Sequence, residues 1–276
     1  MSDDTDARLW DRTAERNRDG DFFMDPLLAA HYQRVHLALC RAWAPDTSNP
    51  RVLKTDVFAE ATCPERAFAW SIGSSEQLVS VDISSRLLCM AQENAKTVET
   101  GGTFYAVGDV RALPFANSAF DLVVSDSTLD HFHEESDIAR GIQELARVLR
   151  PGGVLIITMD NPTNLTDPLF KAWMALGKNP FFIGKTFTAR RLRNTMREAG
   201  FDVTATTAII HNPRYFAKAG IRLLRHLHPP GYEGVVRQFL EAGDSLGRSP
   251  TRLLTAQFIA ARGVKSVHSE QLGFND

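Results

Sequence analysis

No uninterrupted apolar run in the 276-residue sequence is long enough to span a bilayer, which argues against a helical membrane protein. Cysteine is scarce. Cys40, Cys63 and Cys89 are odd in number and scattered, so neither a disulfide framework nor a thiolate metal site is expected, and a reducing cytoplasm is the natural compartment. The opening MSDDTDAR is acidic and lacks the apolar core of a secretion signal. Net charge is also small, −2, which leaves no bulk electrostatic case for a nucleic-acid partner. Internal repeats and low-complexity tracts are missing.

Several chemistries are disfavoured by absence as well. None of G-x-x-x-x-G-K-[ST], G-x-S-x-G or H-E-x-x-H occurs. Tyr215 and Lys218 stand one residue too close for the Tyr-x-x-x-Lys pair of nicotinamide-dependent short-chain dehydrogenases. His131 and His133 are two apart with no further Cys or His nearby, so no metal is assigned to them.

What is present is apolar material sufficient for one large core, 43% hydrophobic against 23% charged residues, and an uneven charge distribution. Residues 1–160 hold 15 Lys+Arg against 25 Asp+Glu, whereas 161–276 hold 16 against 8. Such halves either meet across an internal interface or offer a basic surface to an anionic substrate or membrane.

The predicted elements alternate. Residues 1–25 are polar and expected to be loosely ordered at the start, although Trp10, Phe22 and Phe23 need burial. A helix is expected from Pro26, with Leu27, Leu28, His31, Val35, Leu39 and Trp43 at helical spacing; His31 and Tyr32 read as packing positions before ligand positions. Strands are expected at Arg51–Val57, Gln77–Asp82, Thr103–Val107, Asp121–Ser125, Val154–Met159, Phe201–Ile210 and Leu253–Ala261. Helices are expected between them at Pro64–Trp70, Ser84–Asn94 with Ser84 as N-cap, Glu135–Leu149, Pro168–Leu176 and Thr188–Ala199. Strand alternating with helix at these lengths predicts an α/β fold, a doubly wound, mostly parallel seven-stranded sheet. Residues 211–250 fall outside that rhythm and carry Arg214, Lys218, Arg222 and Arg225, which share one face if helical.

Residues 104–132, FYAVGDVRALPFANSAFDLVVSDSTLDHF, are the most informative stretch. Asp109 follows a strand and a glycine, Pro114 pins a turn, and Phe120–Val124 reads as a strand covered on both faces. This run, with VSVDIS at 79–84 and LRPGG at 149–153, resembles the class I S-adenosylmethionine (SAM) dependent methyltransferases over about residues 50–210 and the last strand. The resemblance implies a Rossmann-like core at 49–210 and 251–266, a helical N-terminal segment at 1–48 and a helical cap insertion at 211–250. It also implies SAM as cofactor and a small-molecule acceptor. Asp82 would take the ribose hydroxyls, with Ile83 beside it. Asp109 and Val110 would bind adenine, Ser125 would border the cofactor, and His131, oriented by Asp130, would be the base.

One departure stands out. Where the family has an acid followed by alternate glycines, this chain reads Lys54-Thr55-Asp56-Val57-Phe58-Ala59-Glu60, with no glycine. Asp56 or Glu60 is then expected to neutralise the methionine ammonium, and Lys54 to turn away or pair with a carboxylate. The alternatives are a relative that no longer binds SAM, and a peripheral lipid-modifying methyltransferase whose basic 211–228 segment rests on anionic lipid; membrane contact is the less favoured of the partner assignments.

Overall fold

The computed structural model describes residues 3–16, 25–64, 66–72, 77–97, 103–175, 183–227 and 230–267. Its centre is a seven-stranded sheet of β1 (Val52–Thr55), β2 (Leu78–Asp82), β3 (Phe104–Val107), β4 (Phe120–Asp126), β5 (Leu149–Asp160), β6 (Phe201–Ile209) and β7 (Phe258–Lys265). The order across the sheet is β3-β2-β1-β4-β5-β7-β6. All neighbours are parallel except at β7, which runs antiparallel to both β5 and β6. The predicted α/β, doubly wound, mostly parallel arrangement is what the chain adopts.

Both faces are covered because both are apolar. Val52, Leu122, Val124, Val154 and Ile156 point to one side, where α2 (Pro26–Trp43) brings Cys40 against them. Their strand neighbours Leu53, Val123, Leu155 and Ile157 point to the other, against Ile138, Ile142 and Leu145 of α5 (Glu135–Val148) and Leu192 and Met196 of α7 (Ala189–Glu198). Alternation within strands that are apolar throughout is the pattern of a sheet buried on two sides. A third cluster joins Leu28 and Tyr32 of α2 to Ile209, Phe258, and Ile221, Val236 and Leu240 of α8 (Arg214–Leu227) and α9 (Tyr232–Ser245).

Local signals act as expected at several ends. Ser84 Oγ accepts from the Leu87 N–H at 3.1 Å before α4 (Ser85–Thr97), Thr188 Oγ1 accepts from Arg191 N–H at 3.3 Å, and Gly200 ends α7 at φ +89°. Asp25 caps α2, with Pro26 in its first turn.

Four expectations are corrected. The N-terminal segment is not loose: Asp3–Arg16 forms α1, whose Trp10 packs edge-on to Phe58 at 6.0 Å. The helix expected at Pro64–Trp70 lies earlier, as α3 (Phe58–Thr62), followed by a single turn at Ala69–Ser71. Without glycines, Phe-Ala-Glu-Ala-Thr can coil directly after β1, and Pro64 disfavours its continuation. β5 begins at Leu149 rather than Val154, with a register shift between Phe120 and Leu122 on β4 and Gly152 at φ +76°. The last strand starts at Phe258, not Leu253, because Arg252–Thr255 forms a short helix, α10. Asn161 and Asn164 hold that helix by donating side-chain N–H groups to the carbonyls of Leu253, Thr255 and Ala256. Phe22 and Phe23 lie outside the described residues, as do the side chains of Arg214 and Lys218.

Candidate active site

The carboxyl ends of β1, β2 and β4 and the turn after β3 open on one cleft, where open α/β sheets place ligands. Its empty volume, solvent at the mouth included, is about 660 Å³. Asp56, Asp82 and Asp109 lie on its floor and sides, Ile83 and Val110 flank them, and His131 stands in the wall formed after β4. Six of the nine residues singled out from sequence are thus brought together. Helix α1 roofs the cleft with Asp6, Leu9 and Trp10, and Trp10 stacks edge-on against His131 at 4.7 Å.

The loop after β1 is rebuilt around a buried ion pair. Lys54 and Glu60 are 1% and 0% exposed, and Lys54 Nζ donates to Glu60 Oε2 at 3.1 Å and to the Asp56 carbonyl. Burial alone would lower the Lys54 pKa, but Glu60, Asp56 and Asp126 outweigh it and raise it, so the ammonium stays charged. Glu60 therefore faces inward and does not line the cleft, which corrects its assignment as a ligand. Asp56 does line it. Its backbone takes the left-handed conformation, φ +70°, where the family pattern has a glycine, and its Oδ1 accepts from Phe58 N–H at 2.8 Å.

Asp82 is 8% exposed. Its Oδ2 accepts from Val57 N–H at 3.0 Å and its Oδ1 from Ser84 N–H at 2.9 Å, so the carboxylate ties β2 to the β1 loop as well as facing the cleft. Asp109 is more heavily engaged. Arg111 donates from Nε to both its oxygens at 3.0 Å and from Nη2 at 2.5 Å. The same guanidinium reaches Asp6 of α1 and Asp137 of α5, each at 3.2 Å, and lies 4.9 Å from the centre of the Phe132 ring. A second tie, Ser84 Oγ to Asp11 Oδ1 at 2.5 Å, fixes the other end of α1.

Ser125 and Asp130 are corrected too. Ser125 is fully buried and its hydroxyl accepts from Thr55 Oγ1 at 3.1 Å; Thr55 and Thr128, paired at 2.7 Å, line the cleft instead. Asp130 is fully buried, accepting through Oδ2 from Ser127 Oγ at 2.9 Å and Asp160 N–H at 2.7 Å. It attracts His131 electrostatically, but its hydrogen bonds hold the β4 and β5 ends together and do not orient the ring.

Under the cleft on the α2 side lies a pair absent from the sequence reading. His36 Nδ1 donates to the Tyr32 carbonyl at 2.8 Å, and Nε2 stands 3.3 Å from Asp126 Oδ1, which also accepts from Thr158 Oγ1 at 2.5 Å. Burial pushes Asp126 up, yet His36, Lys54 and Arg66 outweigh it and hold the carboxyl well below its ordinary range. A carboxyl depressed on folding stabilises fully above the unfolded value, about pH 4, and loses that contribution as pH falls. Asp126→Asn is accordingly expected to be less stable at neutrality and to show a shallower decline in urea midpoint between about pH 5 and pH 3. An unchanged acid slope would remove Asp126 from this role.

Sequence reasoning missed the roof residues, Arg111 and the His36–Asp126 pair. Only the roof had a signal: Leu9 and Trp10 are apolar residues within an otherwise charged segment.

Residues 62–157 match the family model described as a methyltransferase domain, a match that begins just after the glycine-free loop. The chain is 27% identical over 151 residues to a demethylmenaquinone methyltransferase from Desulfitobacterium hafniense, covering 52% of this chain and 56% of that protein. It is 32% identical over 104 residues to a malonyl-[acyl-carrier protein] O-methyltransferase from Enterobacter lignolyticus, 38% of each. The chain thus spans little more than half, or less, of the length of these curated relatives. Among solved structures, a SAM-dependent methyltransferase from Thermotoga maritima described as a possible histamine N-methyltransferase superposes with a TM-score of 0.60 at 16% identity, over 94% of this chain and 99% of that one. The [4+2]-cyclase SpnF superposes with a TM-score of 0.54 at 20% identity, over 85% and 81%. In sequence, residues 62–157 thus match a methyltransferase domain, and in fold nearly the whole chain is similar to structures of SAM-dependent methyltransferases.

Proposed function

We propose that the protein transfers a methyl group from SAM to a small or medium-sized molecule. The core is 49–210 with 251–266, capped by 1–48 and 211–250. The observation that carries this reading is the cleft, whose floor holds two carboxylates, Asp56 and Asp82, while the nearby cation Lys54 is committed to Glu60 and a backbone carbonyl. That floor suits a ligand bearing positive charge, and the apolar Val81, Ile83, Val110 and Trp10 suit a planar base. Asp82 keeps a free lone pair on each oxygen beyond its backbone bonds, enough for a vicinal diol. Asp109 fits less well, because Arg111 already occupies both its oxygens.

SAM supplies the methyl group already activated on a sulfonium, so the protein's work is alignment and removal of the nucleophile's proton. His131 is the base, since it lines the cleft and a neutral imidazole nitrogen can accept a proton. Two of the relatives are named for methylating demethylmenaquinone and malonyl-[acyl-carrier protein], and a small or medium-sized acceptor is proposed here.

The Arg111 engagement and the glycine-free loop favour one second reading, a methyltransferase fold that binds SAM or another ligand without methyl transfer. Titration calorimetry with SAM and S-adenosylhomocysteine, then methyl transfer from labelled SAM to an acceptor panel, separates the two. Binding without turnover across the panel would favour the second reading, and no binding at high concentration would defeat both for SAM.

Asp82→Ala is expected to cost two things at once. Affinity for SAM should fall by about 1.5–3 kcal/mol for each charge-assisted hydrogen bond lost. Stability should also fall, by about 1–3 kcal/mol, because the Val57 and Ser84 N–H groups lose their acceptor. Unchanged SAM affinity in the folded variant would take Asp82 out of the site.

A further inference from the structure

Asp109 has no acceptor capacity left for a ligand. An ionised carboxylate offers about four lone-pair sites. Arg111 fills them: its backbone N–H donates to Oδ1 at 2.8 Å, Nε to Oδ1 and Oδ2 at 3.0 Å each, and Nη2 to Oδ2 at 2.5 Å. Asp82 differs. Its described hydrogen bonds come from the Val57 and Ser84 N–H groups, which leaves about half of its sites open. The acid after β3 is engaged by an arginine, and the acid at the end of β2 by the backbone.

That arginine in turn holds α1. Nη2 also donates to Asp6 Oδ2 and Nη1 to Asp137 Oδ2 on α5, each at 3.2 Å. The side chain is 10% exposed and the guanidinium lies 4.9 Å from the centre of the Phe132 ring, so the planar fork is fixed by packing as well as by charge. Helix α1 is attached unevenly. Its second half belongs to the core: Thr13 and Ala14 are buried, and Ala14 shares a cluster with Leu87, Leu88 and Ala91 of α4. Its first half carries Asp6, Leu9 and Trp10 across the cleft and is only partly buried. The described ion pair that ties this half to the cleft wall is Asp6 with Arg111.

We infer that Arg111, anchored by Asp109, is a clasp that keeps the first half of α1 closed over the cleft, so that a ligand enters and leaves when Asp6 lets go. Asp109 is then a positioning residue for the clasp and not a ligand for adenine. The identity of the ligand rests on the methyltransferase reading, whereas the clasp rests on the hydrogen bonds alone.

The consequence is kinetic. The clasp closes the cleft whether it is empty or filled, so weakening it favours the open helix in both states. Association and dissociation then quicken together, and their ratio, the affinity, stays nearly constant. Loss of a group that touches the ligand acts differently: dissociation quickens by itself and affinity falls.

Two measurements test it. Stopped-flow binding of SAM and S-adenosylhomocysteine, followed by tryptophan emission, should give both rate constants about five- to tenfold higher in Asp6→Asn, with Kd within about twofold. Asp6→Glu, which keeps the charge, should restore most of the original rates. Asp109→Asn should quicken both rates as Asp6→Asn does, and the two changes combined should add little, because both act through Arg111. Hydrogen exchange of the ligand-free protein needs no ligand: in Asp6→Asn and in Asp109→Asn the amides of residues 6–10 should exchange about five- to tenfold faster, while those of 13–16 keep their protection. Unaltered association or unaltered exchange in Asp6→Asn overturns the clasp, and an affinity loss confined to Asp109→Asn returns that carboxylate to the ligand. If neither SAM nor its product binds, the methyltransferase reading fails and exchange alone decides. Faster, non-additive exchange at 6–10 then keeps the clasp, and unchanged exchange removes it.

Discussion

Replacing Lys54 by methionine is expected to destabilise the protein by about 3–5 kcal/mol, because breaking a fully buried pair leaves one charge uncompensated. Glu60 is 0% exposed, and besides Lys54 its carboxylate accepts only a long 3.4 Å bond from the Ala69 N–H among the interactions described. Its backbone carbonyl meanwhile accepts from Asn94 on α4, so the damage would spread into the α3–α4 contact. The urea midpoint of the single variant reads the loss. Lys54→Met with Glu60→Leu should recover much of it, since an apolar pair of similar volume needs no compensation. A loss under about 1 kcal/mol in the single variant would mean that water reaches the pair and that the loop is looser than described.

The second large effect concerns turnover. If His131 removes the acceptor's proton, His131→Ala should lower kcat by about 10²–10⁴-fold, the usual span for a positioned general base. SAM affinity should change little, and the acid limb of the pH–rate profile should disappear with the imidazole. Losing Trp10's partner at 4.7 Å is a separate consequence, visible in tryptophan emission whether or not catalysis changes. A variant with unaltered kcat and pH profile would show that the acceptor gives up its proton without this residue.

The sheet was legible in the sequence because its strands are apolar on both faces and its turns carry strong punctuation, Pro114 and the Pro-Gly-Gly at 151–153. The cleft floor was legible for a similar reason. Asp82 ends one apolar run and Asp109 follows another after a single glycine, and strand ends in such sheets face the ligand. What escaped depends on contacts between distant segments. Glu60 and Asp56 look equivalent in the sequence, and only the burial of Lys54 decides that Glu60 turns in and Asp56 turns out. Arg111 looks like a turn residue, and its grip on three carboxylates from α1, the β3 loop and α5 has no local signature. The start of β7 was misplaced because Leu253 and Leu254 are as apolar as the strand itself. The asparagines that coil them lie about ninety residues away in sequence, as with Asn161 and Leu253.

The strand order also constrains how the chain assembles. β7, the last strand, sits between β5 and β6, and β6 has β7 as its sheet neighbour. During synthesis, β6 therefore emerges with no strand to join, and until residues 258–265 follow, the growing sheet ends at β5 with an open parallel edge. Helices α8 and α9 are made in that interval, before the strand that anchors their cluster through Phe258. The half carrying the cleft floor, β3-β2-β1-β4, is free of this dependence, so a ribosome-bound chain halted near residue 250 should already protect Asp82 and Asp109 while leaving β6 exposed to protease.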